Sequence, residues 1–119
     1  MGRITWESLP LRPLPKRRNI VLSSSVVSNV ECYASIEKCI SILEEDNIED
    51  IFVIGGTTIY NNFYSIADEL HITHVNKLEK GIDTFFPVNM QIIQKSFQKI
   101  EQKILSEDAV YTRWKKKLC

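Results

Sequence analysis

Ile51-Phe52-Val53-Ile54 is an unbroken apolar run that ends on Gly55-Gly56. No polar residue alternates with it, so it predicts a strand buried on both faces, as in a parallel sheet covered by helices. Beyond the glycines, Ile59, Tyr60, Phe63, Tyr64 and Ala67 recur at helical spacing, with Thr57 or Thr58 available to cap that helix. Upstream, Ile36, Cys39, Ile40 and Leu43 fall at i, i+3, i+4 and i+7 behind a capping Ser35. Glu37, Lys38, Glu44 and Glu45 form the outer face of this second helix, and Asp46-Asn47 ends it. A strand, a glycine turn and a helix start together make a seat for a phosphate, because unpaired N–H groups and the helix dipole point at it. On its own, such a turn is more often a packing feature.

The remaining pattern fills in the order of elements. Ile4 to Leu9 is a short helical candidate with Ile4, Ser8 and Leu9 close on one side, ended by Pro10, Pro13 and Pro15. Asn19 to Ser23 and Glu31 to Ala34 read as short strands, the first running into Ser24-Ser25. Leu70 to Val75 alternates as a strand does. Glu79-Lys80-Gly81 predicts a turn, and Asp83 to Pro87 an extended segment. Phe97 to Leu105 suits either a helix face or a strand, whereas Val110, Thr112 and Trp114 alternate. Two late strands predict an antiparallel hairpin at a sheet edge. The expectation is an α/β domain with a mostly parallel sheet flanked by helices.

Composition narrows the classes. The 119 residues suffice for one domain with a modest core. Lys+Arg and Asp+Glu both number 15, so no net charge points to nucleic acid or a membrane. No apolar run approaches a transmembrane length. Cys32, Cys39 and Cys119 lack metal-ligand spacing and read as reduced thiols of a cytoplasmic protein. His71 and His74, three apart in a strand-like run, would face opposite ways, which argues against a metal site. Lys16-Arg17-Arg18 is either a solvated loop or an anion clamp, and spacing alone favours the loop.

Taken together, Met1-Gly-Arg-Ile-Thr-Trp-Glu-Ser-Leu9, Arg12-Pro-Leu-Pro15, Arg17-Arg-Asn-Ile-Val-Leu-Ser-Ser24, Val53-Ile-Gly-Gly56 with Ile59-Tyr60, Thr73-His74, and Asp83-Thr84 with Phe86-Pro87 resemble the dihydrofolate reductase family, in that family's order. The resemblance runs from Met1 to the final hairpin. It implies NADPH-dependent reduction of dihydrofolate to tetrahydrofolate and binding of antifolate inhibitors. By the same resemblance, Gly2, Arg3 and Thr5 would form the cofactor segment, with Thr5 near the pyrophosphate and Arg3 near the adenosine 2′-phosphate. Ser23 and Ser24 would complete the 2′-phosphate site. Gly55 and Gly56 would be the family's cis-linked pair beside the cofactor, with Thr57, Thr58 and Tyr60 following. Ser8, Leu9, Leu14, Ile54, Tyr60 and Thr73 would line the substrate pocket, and Arg17 would hold the α-carboxylate of the glutamate tail.

The departures are also part of the expectation. Lys16 stands where the family usually has glycine, and Pro10-Leu11 lengthens the preceding loop. These residues match the family only from the end of an early strand onward. The resemblance therefore implies a single incomplete domain without the first strand, the mobile loop, the first long helix and its catalytic acid. No carboxylate here matches that acid, so catalysis by the chain as given is expected to be impaired. Two other readings stay open: a non-catalytic NADPH-binding remnant that needs a partner polypeptide, and a reductase of another pterin-like or pyrimidine substrate.

Overall fold

The computed structural model describes residues 1–75 and 88–118. The predicted turn at Glu79 to Gly81 and the extended segment from Asp83 to Pro87 lie outside the described residues. The chain forms two compact units, Met1–Phe63 and Tyr64–Cys119.

The first unit opens with helix α1 (Arg3–Ser8), whose buried residue is Trp6. Ile4 is 78% exposed. A proline-containing loop leads to β1 (Ile20–Leu22), which pairs in parallel with β2 (Glu31–Tyr33). Gly2 also bridges Leu22 in parallel, so the start of α1 lies beside the end of β1. Helix α2 (Ile36–Glu45) begins as its sequence predicts, with the Ser35 hydroxyl accepting from the Lys38 N–H at 3.2 Å. Its apolar stripe buries Cys39 and Leu43. Asn47 ends it in the left-handed region (φ 54°), while the Ile48 N–H reaches the Leu43 carbonyl at 3.1 Å. Helix α3 (Thr57–Phe63) follows the glycine pair and buries Ile59. Gly56, not a threonine, holds the position before it, and its carbonyl accepts from the Tyr60 N–H.

The second unit starts with a 3₁₀ turn (Tyr64–Ile66), then β3 (Glu69–Val75), helix α4 (Met90–Ser96), β4 (Phe97–Ser106) and β5 (Ala109–Lys116). Its sheet has the order β3-β5-β4 with both pairings antiparallel. The predicted hairpin is β4 and β5. Leu70, Ile93, Phe97 and Trp114 form the core, with Tyr64, Ala67, Ile72, Val88 and Met90 packed on it. Helix α4 was not foreseen. The Asn89 side chain caps it at the Ile92 N–H, and Ile93 is fully buried.

Two expectations of the sheet need correction. Ile51 to Ile54 is not a strand buried on both faces: it has no ladder partner among the described residues, and Ile51, Phe52 and Ile54 are 50%, 76% and 38% exposed. An apolar run fixes hydrophobicity, but a strand exists only where neighbours satisfy its N–H and C=O groups. The sheet is also not mostly parallel. The described strands make a two-stranded parallel sheet and a three-stranded antiparallel one. The short β4–β5 connection imposes the antiparallel sense, because parallel neighbours need a long crossover. What stands is a mixed arrangement of helices and strands. No described helix is long and apolar enough to cross a membrane.

Candidate functional site

The start of α1 and the glycine pair meet. The Gly2 N–H donates to the Gly55 carbonyl at 2.8 Å, and the Tyr60 N–H donates to the Gly56 carbonyl at 2.9 Å. The peptide joining Gly55 to Gly56 is cis, as the resemblance implies. Two segments distant in sequence are thereby fastened together by their own backbones, and the second continues directly into α3. The absence of side chains matters at two of them. Gly55 has φ +109°, in the left-handed region, and a Cβ there would lie 3.2 Å from the Tyr60 ring. A Cβ on Gly2 would lie 3.3 Å from Ile59. At Gly56 the nearest atom to an added Cβ is the Thr5 hydroxyl oxygen, 3.9 Å away. Thr5 thus faces bare glycine backbone across a gap that an added methyl group would fill. Half-buried Tyr60 walls this place, and burial pushes its phenol pKa up, so it stays neutral.

The parallel bridge between Gly2 and Leu22 brings Arg3 and Ser23 to the same end of neighbouring chain segments. The Ser23 N–H donates to the Tyr33 carbonyl at 3.0 Å, and its hydroxyl accepts from the Ser25 N–H. Ser24 is exposed beside it. Arg3 is exposed and lies 3.8 Å from Glu7, one turn along α1. That is a surface pair of small energy, which an anionic ligand can displace.

The residues expected to hold substrate are distributed differently. The Ser8 hydroxyl donates to the Thr5 carbonyl at 2.7 Å, closing the last turn of α1, and half-buried Leu9 follows it. Leu14 and Arg17 lie in the loop that Asn19 organises. The Asn19 Oδ1 accepts from the Leu14 N–H at 2.9 Å, and its Nδ2 donates to the carbonyls of Leu14 and Arg17 at 3.0 and 2.9 Å. Asn19 was not singled out in the sequence; an asparagine at the entry of a strand was its one cue. Lys16 has φ 63°, so the turn before Arg17 keeps the left-handed shape that glycine favours. Arg17 is exposed, and its Nε donates to the Pro15 carbonyl at 2.9 Å. This contact fixes the stem of the exposed side chain and leaves the two terminal nitrogens unspent by it.

Its neighbour Arg18 is fully engaged. Nε and one terminal nitrogen grip the two Glu31 carboxylate oxygens at 2.7 and 2.6 Å, and the other terminal nitrogen holds Asp46 at 2.7 Å. Arg18 therefore ties β2 to the end of α2. These hydrogen bonds raise its pKa, and they hold the Glu31 carboxyl below the ordinary range. Of the basic cluster, one arginine is structural and one is presented to solvent. Ile54 immediately precedes the glycine pair and is partly exposed. Thr57 and Thr58 open α3 on its exposed side. Thr73 belongs to the second unit, on β3 opposite Tyr111.

The sequence model described as dihydrofolate reductase matches residues 1–114. The chain is similar to the dihydrofolate reductase of Neisseria gonorrhoeae, at 36% identity over 115 residues, covering 94% of this chain and 69% of that protein. It is similar to that of Buchnera aphidicola subsp. Acyrthosiphon pisum, at 36% over 87 residues, or 73% of this chain and 53% of the relative. It is also similar to that of Saccharomyces cerevisiae, at 37% over 102 residues, or 71% of this chain and 48% of the relative. A match that includes α1, the arginine loop, the glycine pair and most of β5 leads to one conclusion: the chain belongs to the dihydrofolate reductase family and is an oxidoreductase of that kind.

Proposed function

We propose that this chain takes part in reduction of dihydrofolate to tetrahydrofolate with NADPH as hydride donor, and that antifolates compete for its substrate site. The observation that carries the reading is the backbone junction of Gly2 with Gly55, where bare glycine backbone faces the Thr5 hydroxyl. Such a cradle accepts a phosphate-bearing, flat ligand that side chains would exclude. NADPH fits it: Gly2, Gly55, Gly56, Thr5, Thr57, Thr58 and Tyr60 would hold it, with Arg3, Ser23 and Ser24 at its 2′-phosphate. When bound, it supplies the hydride.

The chain's own residues then do the work of placement. Tyr60 and Ile54 present apolar surface to the flat rings and exclude water from them. Arg17 offers the outward fork of its guanidinium to a carboxylate, held by Asn19 and the Pro15 carbonyl. By the resemblance, Ser8, Leu9 and Leu14 would line the place of the substrate. No carboxylate in this sequence matches the family's proton-donating acid. A polypeptide of these 119 residues alone therefore turns over slowly, by a factor on the order of hundreds or more.

The test is the dihydrofolate-dependent loss of NADPH absorbance, with and without a saturating antifolate. Slow, antifolate-sensitive oxidation supports the proposal. Oxidation independent of dihydrofolate, or insensitive to the antifolate, rejects it.

A further inference from the structure

Away from the glycine junction, Trp6, Arg12, Pro13, Ser28 and Asn29 enclose an open hollow of ≈ 280 Å³. We propose that this hollow binds a small organic carboxylate. Its polar lining is rich in donors and free of acid: no Asp or Glu contributes to it. The Arg12 guanidinium lies over the Trp6 ring, its Cζ 5.8 Å from the centroid, and forms no ion pair among the described residues. A cation held against an aromatic face keeps its N–H edge directed outward for an anion. The Trp6 indole N–H has no protein acceptor among the described residues, and its nitrogen is not sealed from solvent. The Ser28 hydroxyl and the Asn29 amide likewise have no side-chain hydrogen bond among the described residues. The site therefore offers four kinds of donor to an anion and no carboxylate to repel one.

The apolar part of the lining decides between anions. The Trp6 ring and Pro13 give a hydrocarbon body something to cover, which inorganic phosphate cannot use. A ring-sized carboxylate such as benzoate matches both halves of the site and the volume. Asn29 holds its place with φ 66°, a conformation that asparagine tolerates and most residues do not. The inference is independent of the reductase reading, because neither NADPH nor folate is needed for it.

The experiment is an NMR titration of the ¹⁵N-labelled chain with benzoate, without cofactor, following the indole N–H resonances of Trp6 and Trp114. The expected result is a saturable shift of the Trp6 resonance at a concentration on the order of 1 mM, with Trp114 unmoved. Arg12→Gln should weaken binding about tenfold or more, and Arg17→Gln should leave it unchanged. If Arg12→Gln loses its folded spectrum, Asn29→Gly serves instead; it keeps the backbone shape, removes the amide, and should weaken binding measurably. The proposal is overturned by a Trp6 resonance that does not saturate, by unchanged affinity in the folded Arg12 variant or in Asn29→Gly, by loss of binding in Arg17→Gln, or by equal affinity for inorganic phosphate.

Discussion

Thr112 is the buried polar centre of the second unit, and replacing it with valine tests the packing account at one atom. Its hydroxyl donates to the Ile72 carbonyl at 2.9 Å and accepts from the Trp114 indole N–H at 2.9 Å. The His74 Nε2 lies 3.3 Å from the same oxygen. A hydroxyl has one hydrogen to give. With that hydrogen on Ile72, a hydrogen bond to His74 requires Nε2 to be the donor. Thr112 and Trp114 are 3% and 6% exposed, so water cannot easily replace what is lost. Thr112→Val preserves shape but leaves the indole N–H without an acceptor, which costs about 1–3 kcal/mol, and removes the bond to Ile72, about 1 kcal/mol more. The sum is about 2–4 kcal/mol. Thr112→Ser keeps the hydroxyl and loses one methyl, about 1 kcal/mol. Urea unfolding followed by Trp114 fluorescence should place valine clearly below serine, and serine slightly below the parent. Equal midpoints for valine and serine would refute the accounting, as would a valine variant as stable as the parent.

Other substitutions separate structure from binding. Gly55→Ala should destabilise the first unit by about 1–3 kcal/mol, because φ +109° and the Tyr60 ring oppose a Cβ, and calorimetry in the absence of ligand would detect it. Arg18→Leu should lower stability while changing folate affinity little, since its fork is spent on Glu31 and Asp46. Arg17→Leu should do the reverse, weakening folate by about 1.5–3 kcal/mol in equilibrium titrations and leaving the melting curve in place. The Glu31 carboxyl is held low by the Arg18 hydrogen bonds, so its stabilising contribution is complete above the ordinary value of 4.5 and disappears as pH falls through its folded value. Acid titration of the parent should accordingly show a loss of stability below about pH 4.5 that is reduced in Arg18→Leu.

Helix α2 was readable because every local cue agreed: a serine cap, a complete i, i+3, i+4, i+7 stripe, and an asparagine at its end. Helix α4 offers weaker cues: its seven residues bury one isoleucine, and its clearest signal is the Asn89 cap. The run from Ile51 to Ile54 misled for a different reason. Hydrophobicity is a property of the residues, whereas strand pairing is a property of neighbours that the run does not name. The site divides in the same way. Glycines and arginines stand out in the sequence. That Arg18 is bound and Arg17 presented depends on where Glu31, Asp46 and Asn19 arrive in space, and no spacing rule encodes it.

The direct test of the account is equilibrium titration of the chain with NADPH and with NADH by calorimetry. If Arg3, Ser23 and Ser24 meet a 2′-phosphate at the end of the Gly2–Gly55 cradle, NADPH should bind about tenfold or more tightly than NADH. Replacing Arg3 and Ser24 together, as Arg3→Gln and Ser24→Ala, should narrow the difference mainly by weakening NADPH. Absence of binding, or the same affinity for both dinucleotides in the parent chain, would contradict it.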